Sequence, residues 1–202
     1  EEKGWPILAI EDVPRFQNRG FMSDVARNFY PKEKIFKILD YMALYKLNRF
    51  DLKLTDDDGW RIEIPGLPEL TAVGSNRGYT LDENDRLIPM YGSGSGDSQS
   101  KGSGYLSGED FVAILNYAKQ RYIEVIPQIS FPSHARAAIV AMKARYNTFK
   151  AQGDLASATE YVLHDPEDES DYISAQLYTD NVICICDPSA YRFYEKVIQE
   201  IK

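Results

Sequence analysis

Short apolar segments alternate along the chain with longer segments in which apolar residues recur every three or four positions. Residues 50–54 (FDLKL) alternate apolar and polar side chains, which is typical of a strand with one buried face. We predict three more strands at residues 20–25, 122–129 and 181–186, the last of which is rich in β-branched residues. A segment with helical features follows each strand. Four β/α units indicate a parallel sheet or barrel, which places the chain in the α/β class.

Each predicted helix has its own start signal or composition. Pro31 stands near the first position of the first helix, where proline is favoured. Ser107 begins the second helix, with Asp110 at the spacing of a capping box. Residues 133–146 are rich in alanine and predict the third helix, and Asp187 precedes the last one.

Composition and charge limit the class of protein. With 202 residues, 44% of them hydrophobic, the chain can bury one sizeable core, and no linker divides residues 1–202 into two domains. Its 23 basic and 31 acidic residues give a formal net charge of −8, so we expect no binding to nucleic acid or to an anionic membrane. No apolar run approaches the roughly 18 residues of a membrane span. Residues 92–104 contain ten glycines or serines and predict a flexible surface loop.

Few residues are available to bind a metal ion or a cofactor. The chain has two cysteines, Cys184 and Cys186, and two histidines, His134 and His164, so that a zinc site would need all four. We therefore expect two partly buried free thiols instead. The acidic run 56–58 lacks the spacing of a calcium loop, and the Gly/Ser segment lacks that of a phosphate-binding loop. We expect neither a metal nor a cofactor.

Polar side chains cluster near the ends of three predicted strands. In β/α barrels the functional residues lie at the carboxyl ends of the strands. The candidates near these positions are Arg19, Asp24 and Arg27, then Asp56, Asp57 and Asp58, then Ser130, Ser133 and His134. An arginine, several carboxylates and a histidine on one face could bind and hydrolyse a polar substrate such as a sugar. The alternative is that the aspartates form turns and helix caps and that the histidine is structural.

Several of these candidates lie in stretches that resemble a known family. The stretches are residues 19–22 (RGFM), 24–31 (DVARNFYP), 42–48 (MALYKLN), 54–64 (LTDDDGWRIEI), 125–127 (VIP), 132–137 (PSHARA) and 182–184 (VIC), the last of which leads to Pro188. They resemble the catalytic domain of glycoside hydrolase family 20, the β-N-acetylhexosaminidases, which include bacterial chitobiases. The resemblance implies a (β/α)8 TIM barrel, of which residues 1–202 form the N-terminal half. A complete barrel needs about 250 residues and eight β/α units, whereas four are predicted here.

The resemblance also implies a reaction and roles for single residues. The family removes terminal β-linked N-acetylhexosamine by substrate-assisted hydrolysis, in which the acetamido oxygen of the substrate attacks the anomeric carbon. Arg19 is similar to the arginine that grips sugar hydroxyls, and Asp56 and His134 are similar to groups that support the catalytic acid. The catalytic Asp-Glu pair of the family belongs to a G-G-D-E motif on the next strand, which does not occur in this chain. We therefore expect the chain alone to be inactive, with the C-terminal half of the barrel, or a second chain, as its partner.

Departures from the family pattern leave two functions open. Asp51 and Lys53 stand where the family has the two histidines of an H-x-H motif. Ser130 stands where the family has the aspartate of an E-I-D motif, and in the family this aspartate is the partner of the histidine that His134 resembles. We expect Asp51 and Lys53 to pair with each other or with nearby charges. One function is removal of terminal β-linked N-acetylglucosamine from a glycan, with the Asp-Glu pair outside this chain. The alternative is a catalytically dead relative that acts as a secreted glycan-binding or structural protein. For either, we expect a secreted, periplasmic or lysosomal location.

Overall fold

Three parallel strands form the centre of the fold. The computed structural model describes residues 7–90, 92–95, 101–165 and 167–202. Its strands are β1 (Gly20–Asp24), β2 (Arg49–Lys53), β3 (Thr55–Asp56), β4 (Gly59–Trp60) and β5 (Glu124–Gln128). The parallel sheet has the order β1-β2-β5, and β3 and β4 form a short antiparallel hairpin directly after β2. Three of the predicted strands are thereby confirmed, within one or two residues of their predicted ends.

Helices connect these strands and cover the sheet. They are α1 (Lys32–Leu44), α2 (Glu69–Ala72), α3 (Gly108–Lys119), α4 (Arg136–Ala151), α5 (Leu155–Thr159) and α6 (Pro188–Ile201). The predicted capping box is present at α3, where the Ser107 hydroxyl accepts from the N–H of Asp110 and the Asp110 side chain accepts from the N–H of Ser107. Asp187 caps α6 by accepting from the N–H of Ser189. Within the described ranges, no helix is long and apolar enough to cross a membrane.

The register of the sheet aligns the carboxyl ends of its strands. Asp24, the last residue of β1, lies opposite Lys53, the last residue of β2. Lys53 in turn lies opposite Gln128, the last residue of β5. The loops that leave the three strands therefore start from one edge of the sheet.

Strand β2 has one apolar face and one polar face, as its alternation predicts. Phe50 and Leu52 are fully buried in the same core as Ile35 of α1. Asp51 and Lys53, on the other face, are partly exposed. Burying an aromatic or aliphatic side chain stabilises the fold by about 1.5–3 kcal/mol. A slip of one residue would move this apolar pair to the polar face, so burial fixes the register of β2.

A buried arginine ties the loops above the sheet together. Arg61 follows the β3–β4 hairpin and is fully buried. Its guanidinium donates to the carbonyls of Ala26, Ser75, Gly102 and Gly104 at 2.7–3.1 Å. Burial lowers the pKa of Arg61 to about 9. These bonds join the loop after β1 to the segment that leads into α3.

The prediction of a fourth strand at residues 181–186 is wrong. The N–H of Ile183 donates to the carbonyl of Pro132 at 2.9 Å, and the carbonyl of Asn181 accepts from the N–H of Ala135 at 3.1 Å. The segment therefore runs beside the turn that follows β5 instead of beside β5 itself. The β-branched residues of this segment favour a strand only where a neighbouring strand offers a pleated surface, and the neighbouring turn offers none.

Other differences from the sequence prediction are local. Helix α4 begins at Arg136 instead of residue 133, and α2, α5 and the β3–β4 hairpin are additional elements. Of the predicted loop 92–104, the described parts are neither helix nor strand, and residues 96–100 lie outside the described ranges. Cys184 and Cys186 are free but exposed, which corrects the prediction of partly buried thiols.

Candidate active site

Polar residues at the carboxyl edge of the sheet form one cluster. Asp24 ends β1, Asp56 lies in β3 just after β2, and His134 lies in the turn between β5 and α4. Arg27 lies in the loop between β1 and α1. Because the three strands are parallel, the loops that carry these residues converge on the edge where barrel enzymes place their functional groups.

Arg27 is held by carboxylates on three sides. Its Nη1 lies 2.5 Å from Asp24 Oδ2, its Nη2 lies 3.1 Å from Asp56 Oδ2, and its Nε lies 4.0 Å from Asp58 Oδ2. Partial burial opposes ionisation, but the charge of Asp56 and the contact with Asp24 raise the pKa of Arg27. The side chain is still 42% exposed. Since a guanidinium has five N–H donors, Arg27 keeps donors for a ligand at the surface.

Asp56 is a buried carboxylate that two cations share. Its Oδ2 contacts both Lys53 Nζ and Arg27 Nη2, and its Oδ1 accepts from the N–H of Asp57 at 2.7 Å. A buried charge is tolerated when it is paired and hydrogen-bonded. For Lys53, the expectation that it pairs with a nearby charge is confirmed.

His134 is directed onto the second aspartate of the acidic run. Its φ of 54° lies in the left-handed region, which histidine adopts more readily than most residues. Its Nδ1 lies 3.0 Å from Asp57 Oδ2 and 3.7 Å from Asp56 Oδ1. Asp57 also accepts from the N–H of Arg136 at 3.1 Å and from the side-chain amide of Asn181 at 3.0 Å. With 36% of its side chain exposed, His134 can offer Nε2 to a group at the surface.

Ser130 has partners other than His134. Its hydroxyl donates to the carbonyl of Thr55, and its N–H donates to the Thr55 hydroxyl, both at 2.8 Å. Ser130 thereby ties the end of β5 to β3. Because Asp57 supplies the carboxylate, the serine at this position does not leave His134 without an acidic partner.

The third aspartate of the run is bonded to a tyrosine far along the chain. Tyr178 donates its hydroxyl to Asp58 Oδ1 at 2.7 Å. Burial raises the pKa of Asp58 although the bond from Tyr178 opposes this, and burial together with that bond raises the pKa of Tyr178. The guanidinium of Arg136 lies 5.3 Å from the centre of the Tyr178 ring and donates to Asp180 at 2.8 Å. These contacts fix the segment around Tyr178 against the cluster.

Two of the three predicted site residues are brought together and one is not. Asp56 and His134 lie side by side at the carboxyl edge. Arg19 precedes β1 and therefore lies at the amino edge, where its guanidinium donates to the carbonyls of Phe16 and Lys46. The parallel sheet separates the two edges, so Arg19 does not lie beside Asp56 and His134 in this structure, and its assignment to sugar binding stays a prediction.

Arg27, one of the candidates near the first predicted strand, lies at the carboxyl edge with Asp56. It stands three residues after Asp24, the end of β1, which is the kind of position from which the sequence analysis selected its candidates. Tyr178 and Asn181 also reach the cluster. Tyr178 lies in no predicted element, and Asn181 begins the segment 181–186 that is wrongly predicted as a strand, so the rule of carboxyl strand ends marks neither of them.

The cluster contains a set of groups that could contact a cation. In the described part of the chain, the ligand atoms of Asp56, Asp57 and His134 lie within 4.8 Å of one another. However, Lys53 and Arg27 already pair with Asp56, and N–H groups already bond to Asp57. The chain's own cations and donors thus already contact these carboxylates, although Asp56 Oδ2 has ion pairs and no hydrogen bond.

A large surface cleft of the protein does not coincide with the cluster of Arg27, Asp56 and His134. A surface cleft of about 550 Å³ is lined by His164, Asp165 and Asp180, among others, and not by Arg27 or Asp56. Asp180 there pairs with Arg136, but its side chain is largely exposed, whereas Asp56 in the cluster is fully buried. The chemistry of the cluster and its position on the sheet therefore identify it as the candidate site.

Comparison with known proteins identifies the family of the chain. The model of the glycosyl hydrolase family 20 catalytic domain matches residues 16–202. The chain is 52% identical over 197 residues to N,N'-diacetylchitobiase of Vibrio harveyi, which covers 97% of this chain and 22% of that relative. It is 47% identical over 194 residues to a β-hexosaminidase of Vibrio vulnificus, with 96% and 23% covered. The chain thus spans less than a quarter of the length of these two relatives.

Solved structures show the same fold. A GH20 exo-β-N-acetylglucosaminidase from Vibrio harveyi, crystallised with N-acetylglucosamine, has a TM-score of 0.78 and 37% identity, covering 94% of this chain and 26% of that one. An N-acetyl-β-hexosaminidase from Streptomyces plicatus has a TM-score of 0.62 and 26% identity, covering 94% and 31%. The chain therefore belongs to glycosyl hydrolase family 20, as its motifs predict, and it has the fold of the N-terminal part of that family's (β/α)8 barrel.

Proposed function

We propose that the protein carrying this chain removes terminal β-linked N-acetylglucosamine from glycans by hydrolysis. The observation that carries the proposal is the cluster of Arg27, Asp56, Asp57 and His134 at the carboxyl edge of the sheet, in a chain of this family. The relatives support it, since one is named a chitobiase and another was crystallised with N-acetylglucosamine.

We assign sugar binding to Arg27. Its guanidinium is charged, partly exposed and fixed by Asp24 and Asp56 before any ligand arrives. Hydrogen bonds from a charged donor contribute about 1.5–3 kcal/mol each, more than neutral ones. A donor that is already fixed loses little conformational entropy when it binds a sugar hydroxyl.

We assign a supporting role to Asp56, Asp57 and His134. In this proposal the acetamido oxygen of the substrate attacks the anomeric carbon, while an Asp-Glu pair outside residues 1–202 orients the acetamido group and protonates the leaving oxygen. A histidine held by a carboxylate at Nδ1 can hydrogen-bond the acid through Nε2. The carboxylates then tune the acid by charge and hydrogen bonding.

The test uses the full-length protein and a chromogenic β-N-acetylglucosaminide. The wild type should release the chromophore, and Arg27→Lys should lower kcat/KM about 10- to 100-fold because it loses charge-assisted hydrogen bonds to the sugar. Arg192→Lys, on the exposed side of α6, is the matched control and should leave kcat/KM unchanged. A wild-type protein without hydrolytic activity would contradict the proposal.

Lys53 favours a second candidate function, glycan binding without catalysis. Its ammonium group contacts Asp56 and neutralises the charge of this carboxylate. Asp56 would then have less influence on a catalytic acid. In that case the full-length protein binds N-acetylglucosamine in a calorimetric titration and does not hydrolyse the chromogenic substrate. Binding with hydrolysis supports the enzyme, and binding alone supports the dead relative.

A further inference from the structure

We propose that Asn181 is a positioning residue for Asp57 and His134. Its amide donates to Asp57 Oδ2, so that both oxygens of Asp57 act as acceptors, and this keeps the proton of His134 on Nδ1. The inference rests on the proposed function, because it assigns the other nitrogen, Nε2, to the catalytic acid. Asn181 is 2% exposed and lies far from His134 in sequence, yet both side chains meet the same carboxylate oxygen, Asp57 Oδ2.

The first step is the orientation of the Asn181 amide. The Tyr172 hydroxyl accepts from the backbone N–H of Asn181 at 2.8 Å and donates to Asn181 Oδ1 at 3.2 Å. An amide flipped by 180° would turn its oxygen toward Asp57 and its NH2 group toward the tyrosine. Two acceptors would then face each other across 3.0 Å, so Tyr172 and Asp57 together select the orientation with Nδ2 on Asp57.

The second step is the state of the Asp57 carboxylate. Oδ2 accepts from Asn181 Nδ2 at 3.0 Å, and Oδ1 accepts from the N–H of Arg136 at 3.1 Å. Both donors are neutral amides that cannot act as acceptors in these contacts. Asp57 is therefore an acceptor on both oxygens.

The third step is the position of the histidine proton. His134 Nδ1 lies 3.0 Å from Asp57 Oδ2. An oxygen that acts only as an acceptor requires a donor at this distance, so Nδ1 carries the proton. In the neutral ring the lone pair then belongs to Nε2, because the hydrogen bond at one nitrogen sets the role of the other.

This arrangement gives the segment before α6 a function in the site. The backbone carbonyl of Asn181 accepts from the N–H of Ala135, next to His134, so the segment is attached to the turn that carries the histidine. In the described part of the chain, the charged groups around Asp57 and His134 include Asp56 with its partners Arg27 and Lys53, Asp58 with Tyr178, and Arg136 with its partner Asp180. None of these supplies the amide donor that Asn181 gives to Asp57 Oδ2.

The experiment combines a direct reading of the tautomer with kinetics on the full-length protein. With ¹⁵N-labelled histidine, the NMR signals of His134 are identified by their loss in His134→Gln. The wild type should show a protonated Nδ1 and an unprotonated Nε2 at a pH where the ring is neutral. Asn181→Leu, which has a similar volume and no donor, should give a mixture of tautomers. Its kcat should fall about 10- to 100-fold with KM changed less than about 2-fold, because Arg27 is untouched.

Two further variants separate positioning from folding. Tyr172→Phe keeps Asn181 but removes the hydroxyl that orients its amide, so it should shift the tautomer in the same direction by a smaller amount. Asn147→Leu, at an exposed position of α4, is the matched control and should leave both readouts unchanged.

Each outcome decides the inference. A tautomer change in Asn181→Leu and Tyr172→Phe supports it, even if the wild type proves inactive and the proposed hydrolysis fails. An unchanged His134 tautomer in folded Asn181→Leu overturns it, whatever happens to kcat, because Asn181 would then act through structure alone. If Asn181→Leu does not fold, an unchanged tautomer in Tyr172→Phe overturns it.

Discussion

Three consecutive aspartates at the site are stabilised in three different ways. Asp56 is paired with two cations, Asp57 accepts from amides and a histidine, and Asp58 accepts from a tyrosine hydroxyl. The tight β3–β4 hairpin turns the backbone between them, so that successive side chains leave in different directions. Three adjacent carboxylates can therefore be buried together because each has its own donors.

Asp58 makes the stability of the protein depend on pH in a defined direction. Burial and the charge of Asp56 raise its pKa in the folded chain, although the bond from Tyr178 opposes this. The stabilisation by neutral Asp58 is complete below the unfolded pKa and is lost as the pH rises through the folded pKa. Asp58→Asn cannot ionise, so it should gain stability relative to the wild type as the pH rises above the unfolded pKa of about 4. Thermal unfolding of the full-length proteins above this pH measures the difference.

Asp85→Asn is a control in which we expect the pH dependence of the stability difference to have the opposite sign. The hydrogen bond from Arg86 lowers the pKa of Asp85, so the fold favours its ionised form. That contribution is present above the unfolded pKa and disappears at low pH, and the variant should therefore become less stable than the wild type as the pH rises. If the difference between Asp58→Asn and the wild type does not vary with pH, the role given to Asp58 is wrong.

Lys53 should stabilise the protein through its contact with Asp56. Lys53→Met keeps the length of the side chain but leaves the buried carboxylate with Arg27 as its remaining cation. We expect a loss of about 1–3 kcal/mol in the free energy of unfolding, measured by chemical denaturation of the full-length protein. Lys150→Met, at an exposed position of α4, should change it by less than about 0.5 kcal/mol. Equal effects of the two substitutions would show that the Lys53–Asp56 pair contributes nothing.

The candidate site could be predicted from the sequence as far as it depends on strand ends. Asp56 and His134 follow strands with a clear pattern, and they do meet. Arg19 is predicted from the family resemblance and not from a strand end, since it precedes β1, and its role stays a prediction. Tyr178 and Asn181 reach the cluster by tertiary contacts alone, and such contacts leave no periodic signal.

At the scale of secondary-structure elements, the start of α3 is the best-defined feature. Ser107 and Asp110 satisfy each other's backbone N–H groups, which have no partner within the helix. Ser107→Ala removes one of these bonds and should lower the free energy of unfolding of the full-length protein by about 1 kcal/mol. Ser170→Ala, at an exposed loop position, should lower it by less than about 0.5 kcal/mol. A cost at Ser107 no larger than at Ser170 would show that the capping box does not stabilise α3.

The elements of the fold follow from local signals with two kinds of exception. Strands with regular alternation, such as residues 50–54, and helices with caps, such as the one after Ser107, are confirmed. The segment 181–186 has the composition of a strand but lies beside a turn, so its hydrogen bonds go elsewhere. The β3–β4 hairpin has two residues per strand, which is too short for a periodic pattern.

At the scale of the whole molecule, the described sheet is open on both sides. In the order β1-β2-β5, both β1 and β5 have one edge without a paired strand in the described part of the chain. Closed barrels remove such edges by pairing the first strand with the last. The relatives are about four times as long as this chain, which is enough for the remaining strands.

Residues 1–202 expressed alone should therefore be neither stably folded nor active. Phe21 and Met22 on β1 are 45% and 50% exposed, and Tyr191 and Ile198 on α6 are 58% and 60% exposed. Unpaired strand edges next to apolar side chains promote association, and no G-G-D-E motif is present to supply the proposed catalytic acid. We expect sedimentation velocity to show aggregates, thermal unfolding to be broad, and a chromogenic β-N-acetylglucosaminide to remain intact. The full-length protein, measured in parallel, should be soluble and unfold cooperatively. If residues 1–202 alone are monomeric and unfold cooperatively, the need for barrel closure is contradicted, and turnover by them would contradict the proposed placement of the acid outside this chain.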